Sequence, residues 1–443
     1  MTSTDTILAL ATAPIKSGVA VLRISGPRAH ESLALLGVTT PTPRVATLAT
    51  LRHPATGEPI DSALVLTFTA PHSFTGEHVV ELHTHGSRAV IATLLAVLSA
   101  ADGFRLAEPG EFSRRAFLNN RMDLTQAEGL ADLIDAETAT QARQATRQMQ
   151  GETGKIYDGL RGRILRTLAL LEAYIDFPDE EIPESVMDEV NQGIHALTQQ
   201  IADLLEDGRR GERLREGIEI VIIGPPNAGK STFLNTIAKR DIAIVSPEAG
   251  TTRDMLELHL DLGGYPVTLI DTAGLHEGKG GTLGEVEAEG IRRARARASN
   301  AELVLRLFDI NTNPEQHPDI LAIQAKDSIT LFTKSDTAHA PRKPNILAVS
   351  AHTGEGVDAV LDRITTHIRS RYEGAGNALI TRQRHRAALE SCLAHLRRFT
   401  PDAPLELNGE ELRLAARALA TITGTITIDD VLDIVFSSFC IGK

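Results

Sequence analysis

The chain has 443 residues, 42% hydrophobic and 23% charged, long enough for two to four domains that each bury a core. A net charge of −13 argues against unspecific adhesion to nucleic acid or anionic membrane, and 4% aromatics with no tryptophan argue against an extended base-stacking surface. Two cysteines, Cys392 and Cys440, are too few for a disulfide framework. With no long apolar run and no signal-peptide pattern in "MTSTDTILALATAP", a soluble cytoplasmic protein that does not enter membranes is expected.

Residues 1–118 alternate strand-like runs, "GVAVLRIS", "SALVLTFT" and "HVVELHTH", with turn clusters rich in Gly and Pro, which predicts an α+β domain. Across 119–215 the period changes. "LTQAEGLADLIDAETATQARQATRQ" and "GLRGRILRTLALLEAYIDF" have helical spacing, broken at Pro178 and Pro183 in an acidic stretch. The charge-rich "EDGRRGERLREG" of 206–217 reads as a linker. From "IEIVIIG" onward, 216–372 alternates strands with helices, the pattern of a mostly parallel sheet. Residues 373–443 are helical again in "ALITRQRHRAALESCLAHLRRF", "GEELRLAARALATIT" and "IDDVLDIVFSSF". Helices on both sides of an α/β block imply one helical domain interrupted by an insertion.

Within the insertion, "GPPNAGKS" (224–231) follows a strand and precedes the helix-like "TFLNTIAK", the context a phosphate-binding loop requires. Gly224 and Gly229 let backbone N–H groups turn toward phosphates, Lys230 reaches the β- and γ-phosphates, and Ser231 can ligate Mg²⁺. "VTLIDTAG" (267–274) ends a strand at Asp271, placed to hold Mg²⁺ through water, with Gly274 free to turn toward a γ-phosphate. Between them "SPEAGTTRD" (246–254) carries Thr252, which can complete the metal shell, so this loop reads as a switch. "ITLFTKSD" (329–336) places Asp336 to accept from the N1–H and amine of guanine. In "LAVSAHTGEGV" (347–357), the backbone of Ser350 and Ala351 can donate to guanine O6. Each segment alone is weak, and in this order behind a phosphate loop they favour GTP.

On these motifs, 216–372 resembles a translation-factor-type GTPase domain. It departs from that pattern at Thr333, where the usual residue is Asn, and at His352, where it is Lys. Loss of the Asn removes a supporting hydrogen bond, and a lower guanine affinity is expected. Leu275 stands where Ras-like enzymes carry the Gln that orients water, so water positioning and charge neutralisation must come from elsewhere. Asn227 and Ser246 offer oxygens suited to a monovalent cation. Glu285, Glu287 and Glu289 follow in "GEVEAEGIRRA", a pattern that composition alone assigns to a solvated face.

The whole chain, through "VLRISG", "SFTGE", "PGEFSRRAFLNNRMDLTQAE", "DFPDEE", "GPPNAGKS", "AGTTRD" and "SSFCIGK", closely resembles the MnmE (TrmE) family of tRNA-modification GTPases. The resemblance implies a multidomain fold: an α+β N-terminal folate-binding-like and dimerisation domain, an α-helical central domain, and an inserted α/β P-loop GTPase domain. It implies a K⁺-activated GTPase that works as a homodimer and as a heterotetramer with the FAD protein MnmG. That complex adds a (carboxymethyl)aminomethyl group to C5 of the wobble uridine of certain tRNAs, using 5,10-methylene- or 5-formyl-tetrahydrofolate. Glu287 is then the water-orienting catalytic residue. Mg²⁺ falls to Ser231 and Thr252, and K⁺ to Asn227, Ser246, Glu248 and Thr251. GTP contacts extend over Ala228, Gly229, Lys230, Thr232, Asp271, Thr272, Ala273, Gly274, Thr333, Lys334, Asp336, Ser350, Ala351 and His352.

Folate contacts map by the same resemblance onto Arg23, Glu81, Arg121 and Lys443. The chemistry agrees in outline, because a pterin offers an amide and amine edge to a carboxylate and its glutamate tail suits Arg or Lys. Glu81, His83 and His85 at alternating positions could instead bind Zn²⁺, although further ligands are not evident nearby and folate-pocket lining is preferred. Basic runs that could meet tRNA are Arg114–Arg115, Arg143 with Arg147, Arg161 with Arg163 and Arg166, and "TRQRHR" (381–386). In "FSSFCIGK" the phenylalanines read as core and Gly442 as the point where the backbone leaves the helix. Cys440 reads as either a nucleophile or a positioning residue. A regulatory RNA- or ribosome-binding GTPase switch without modification activity is the alternative function.

Overall fold

The computed structural model describes residues 5–176, 185–206, 209–244, 257–271, 296–337, 346–374, 380–426, 429–437 and 439–442. The first six strands, β1 (Thr6–Leu10), β2 (Ser17–Ser25), β3 (Thr47–Arg52), β4 (Pro59–Phe68), β5 (Val79–Gly86) and β6 (Phe104–Leu106), form one sheet ordered β3-β4-β5-β2-β1-β6. Every pairing is antiparallel except β1 with β6. Period-two alternation sends Leu22, Val65 and Leu82 to one face, buried with Leu33 of α1 (Glu31–Leu35) and with Leu94 and Leu98 of α2 (Arg88–Ser99). The register sets two rows on the opposite face: Leu48, Leu64, His83 and Val21, then Leu66, Glu81, Arg23 and Ala9. Helix α3 (Glu111–Leu118) covers part of that face, packing Phe112 with Ile7, Ala9 and Ala107.

Helices α4 (Leu124–Ile134), α5 (Ala139–Met149), α6 (Glu152–Asp176) and α7 (Ser185–Leu205) follow. The stretch expected to be a linker is a packed helix instead, α8 (Arg210–Glu216). Its Leu214 is fully buried in the core of the following α/β domain. Three of its charges are paired: Arg213 with Glu302, Glu212 with Arg386 at 3.0 Å, and Arg215 with Asp132 at 2.8 Å.

The α/β block runs β7 (Ile218–Ile223), α9 (Lys230–Ala238), β8 (Glu257–Leu262), β9 (Tyr265–Asp271), β10 (Leu303–Asp309), α10 (Pro318–Leu321), β11 (Ser328–Thr333) and α11 (Val357–Tyr372). Its sheet has the order β11-β10-β7-β9-β8, parallel except where β8 meets β9. Central β7 is apolar at nearly every position because both of its faces are buried. Ile220 and Ile222 meet Phe233 of α9 and Ile364 of α11, whereas Val221 and Ile223 meet Ile270, Val304 and Ile323.

Helices α12 (Gln383–Arg398), α13 (Leu405–Thr423) and α14 (Asp429–Ser437) close the order. α13 lies along α6, where Arg413 pairs with Glu172 at 2.6 Å. Leu432, Val435, Phe436 and Phe439 share a core with Leu124, Ala127 and Ala131, as expected for the phenylalanines. The chain forms two compact units: residues 1–131, 148–194 and 394–443 in one, residues 132–147 and 195–393 in the other.

Candidate functional site

In the second unit, four segments meet at the C-terminal ends of the parallel strands, where open α/β sheets bind ligands. Strand β7 ends in the loop 224–229, and a Cβ added at Gly224 would stand 2.3 Å from the Leu307 carbonyl oxygen, so only glycine lets the loop turn there. Gly229 at φ +84° starts α9. Asn227, in the same loop, also has a left-handed backbone at φ +61°. The Lys230 ammonium is buried and donates to the carbonyl oxygens of Gly224 at 2.9 Å and Pro225 at 3.0 Å. Burial pushes its pKa below the ordinary lysine value, with Asp271 pulling the other way. A cation held over a loop at a helix N-terminus is a receptor for phosphate oxygens. Ser231 Oγ donates to Asp271 Oδ2 at 2.9 Å, and that carboxylate is 1% exposed. This pair of hard oxygens fits Mg²⁺.

Beside the loop, Thr333 at the end of β11 is buried, and its Oγ1 donates to the Ala228 carbonyl oxygen at 2.7 Å, with the Phe308 oxygen at 3.2 Å. The supporting hydrogen bond whose loss was expected is therefore supplied by threonine. Lys334, at φ +56°, pairs with Asp309 at 2.9 Å. Asp336 is held below the usual carboxylate range, first by a hydrogen bond from Ser350. Ser350 is fully buried, and its Oγ also accepts from the Thr353 amide at 3.1 Å. The Ala351 carbonyl accepts from Thr236 Oγ1 of α9 at 2.8 Å, and His352 is exposed next to it. Residues 227–232, 271, 333–336 and 350–352 thus line one edge. Ser246, Glu248, Thr251, Thr252, Thr272, Ala273, Gly274, Glu287 and Lys443 lie outside the described residues.

The first unit gathers a second set on the face of its sheet that α3 partly covers. Arg23 Nε and Nη2 both reach Glu81 Oε1 at 3.0 Å. The guanidinium lies 5.3 Å from the Phe74 ring and 5.9 Å from the Phe112 ring, a platform that the sequence reading missed. His83 Nε2 is 3.5 Å from Glu81 Oε2, whereas His85 turns to Asp61 at 2.8 Å. Arg121 is exposed, with its stem packed over Gly76. Arg23, with two aromatic rings beside its guanidinium, is thus paired with Glu81, an arrangement that suits a planar ligand with a hydrogen-bonding edge.

The segment 439–442 reaches the same domain. Ile441 makes an antiparallel bridge with Pro109, and the Gly110 amide points at the Cys440 carbonyl, 3.5 Å away. Gly442, at φ +100°, lies so close to β1 that an added Cβ would stand 2.2 Å from the Leu10 carbonyl oxygen. Cys440 is exposed.

Several basic runs change meaning. Arg115 is 5% exposed and pairs with Asp5, Glu77 and Glu111. Arg382 pairs with Asp132, and Arg386 is buried against Glu212. These arginines belong to the interior, leaving Arg143, Arg163 and Arg166 as exposed bases.

A family model described as "GTP-binding protein TrmE N-terminus" matches residues 6–121, and one described as "MnmE helical domain" matches residues 124–440. The curated "tRNA modification GTPase MnmE" of Parvibaculum lavamentivorans is 49% identical over 99% of this chain and 100% of its own length. The protein of the same name from Rhodospirillum rubrum is also 49% identical, over 99% of each chain. Among solved structures, Aquifex aeolicus Era bound to GDP·AlF4⁻ shares 21% identity over 33% of this chain and 56% of that chain. Its TM-score of 0.26 is too slight a likeness to carry weight.

Proposed function

The chain belongs to the MnmE family of tRNA modification GTPases, and from that premise we propose how its residues divide the work. It binds GTP and is a GTP hydrolase acting in tRNA modification. In the finer reading it is K⁺-activated and acts in the cytoplasm with MnmG. Together they add a (carboxymethyl)aminomethyl group to C5 of the wobble uridine of certain tRNAs, from 5,10-methylene- or 5-formyl-tetrahydrofolate. The domains divide as 1–118, 119–215, 216–372 and 373–443.

The convergence of Lys230, Ser231, Asp271, Thr333 and Asp336 on one sheet edge carries the nucleotide part. Lys230 exchanges its two carbonyl partners for β- and γ-phosphate oxygens, and the Asp336 carboxylate accepts from guanine. Ser231, with Thr252, holds Mg²⁺, which neutralises phosphate charge when bound. Asn227, Ser246, Glu248 and Thr251 hold K⁺, which supplies the charge an arginine finger brings elsewhere. Glu287 orients the attacking water in place of the Gln that Leu275 replaces.

Support for the one-carbon part is the Arg23–Glu81 pair with Phe74 and Phe112 beside the guanidinium, on the domain that residues 439–442 reach. Arg121 and Lys443 complete that set, and Cys440 acts as nucleophile or positioning group. A homodimer is supported by the row beside it, in which Leu48 is 71% and Leu64 45% exposed. Among the described residues no helix is long and apolar enough to cross a membrane.

Nucleoside mass spectrometry of tRNA from a deletion strain tests the reading. Loss of the modified wobble uridine, restored by this gene, is expected; an unchanged nucleoside overturns it and leaves a regulatory GTPase. GTP turnover is expected to be much faster in KCl than in NaCl, and equal rates would remove Asn227 from cation binding.

A further inference from the structure

In the second unit, the edge of the sheet away from the phosphate loop is fastened to helices at several points. Helix α8 divides its charges between two directions. Arg213 turns to Glu302, at the foot of β10, and Glu302 also accepts from Arg371 near the end of α11 at 2.5 Å. Both chain connections of the nucleotide domain therefore meet at one carboxylate. Toward the helices, the buried Glu212 carboxylate accepts from Arg386 of α12 at 3.0 Å. Asp132 of α4 accepts from Arg215 at 2.8 Å and from Arg382 at 2.7 Å. Helix α5 adds two more bonds, from Gln141 to the Arg215 carbonyl at 3.1 Å and from Gln144 to the Gly211 carbonyl at 3.3 Å.

One further contact touches the nucleotide site itself. The Thr140 amide in α5 donates to the Gly264 carbonyl at 3.3 Å, in the turn between β8 and β9. Strand β9 runs from that turn straight to Asp271, the carboxylate bonded to Ser231. A seven-residue strand held in a sheet moves as a rod. Strand β9 therefore joins Asp271 to the turn that α5 touches, while α8 and α12 hold the base of the domain.

We propose that this charged joint, Glu212 with Arg386 and Asp132 with Arg215 and Arg382, positions the domain so that nucleotide state at Asp271 is read by α5. The inference rests on the modification reading above, because coupling has a consequence only if GTP turnover drives a distant reaction. A flexible tether in place of this packed helix would let the domain turn without moving the helices. A joint of ion pairs resists rotation because the buried Glu212 and half-buried Asp132 carboxylates would lose their partners.

The test uses full-length protein with its partner and substrate tRNA, comparing the parent with Glu212→Gln and with the charge swap Glu212→Arg/Arg386→Glu. Glu212→Gln is expected to hydrolyse GTP at nearly the parent rate but to modify tRNA at least roughly tenfold more slowly, a coupling-sized loss. The swap is expected to recover most of that rate. In the parent, a non-hydrolysable GTP analogue should change hydrogen exchange across residues 139–149, and Glu212→Gln should abolish that response while thermal unfolding stays cooperative. Asp132→Asn, which leaves the Glu212 pair intact, provides a second variant with the same expectation. Unimpaired modification by both single variants, or an unchanged exchange response in them, overturns the joint. Failure of the parent to modify tRNA instead overturns the functional reading on which it rests.

Discussion

The nucleotide edge and the Arg23–Glu81 face are built in opposite ways. The first is set on a turn of the backbone: Gly224 and Gly229 make the loop, Lys230 is held by the carbonyls of that loop, and Ser231, Asp271, Thr333 and Asp336 gather at the strand ends around it. The second is assembled from side chains far apart in the chain, with Arg23 and Glu81 on adjacent strands, Phe112 on a helix and residues 439–442 arriving from the opposite end. A site hung on one loop fails at the glycine that lets the loop turn and at the cation it holds. A side-chain site loses affinity piecemeal.

The strongest way to break this comparison is at Lys230. Lys230→Ala should slow GTP hydrolysis by about a thousandfold, the scale of losing a preorganised charge on developing negative charge. Tetrahydrofolate binding should stay at the parent level, and a parallel loss of both would mean the two sites are not separate. Because burial depresses the Lys230 pKa below 10.5, its ammonium is lost earlier as pH rises than that of an ordinary lysine. Phosphate binding restores the charged form, so GTP affinity should fall with rising pH through that lowered value. An affinity that falls only near the ordinary lysine value would show that Lys230 keeps an ordinary pKa.

At the other site, Glu81→Gln removes one half of a charged pair and leaves Arg23 beside two rings. Tetrahydrofolate affinity should drop roughly ten- to hundredfold, with GTP turnover nearly intact, as measured by equilibrium titration and phosphate release. Gly442→Ala should act more mildly, since a side chain at a left-handed φ facing the Leu10 carbonyl costs on the order of 1–2 kcal/mol and shifts the segment. Cys440 alkylation reads that shift directly. Burial pushes the Cys392 thiol up to about 12, so thiol reagents report Cys440 alone. An unchanged alkylation rate in Gly442→Ala would mean that the segment is not held by that contact.

The same contrast explains what the sequence disclosed. The places of the phosphate loop, Asp271 and Asp336 in the fold were legible because each follows the end of an apolar strand, and local spacing records backbone geometry. Helix α8 was misread as a linker because its partners Asp132, Glu302 and Arg386 are remote in sequence. An Arg that pairs internally is spelled like one that meets solvent. Arg115 and Arg386 were placed among basic surfaces for the same reason. Phe74 and Phe112 carried no signal, since a ring under a guanidinium reads as ordinary core.

Thr333 sharpens the comparison at its finest point, because here a side chain supports the backbone of the phosphate loop. A motif departure predicted a missing hydrogen bond, yet the hydroxyl spans from β11 to the Ala228 carbonyl at 2.7 Å. One hydroxyl proton serves one acceptor, and the nearer Ala228 oxygen takes it over Phe308 at 3.2 Å. Thr333→Val keeps the shape and removes the donor, leaving the Ala228 carbonyl without that partner. The cost should be about 1 kcal/mol, a roughly fivefold weaker GTP affinity by titration, with GDP affected equally because the loop cradles both. Thr333→Ser keeps the donor and should bind nearly as the parent does. Equal affinity for the Val and Ser variants would place the loop's support elsewhere and return Thr333 to simple packing.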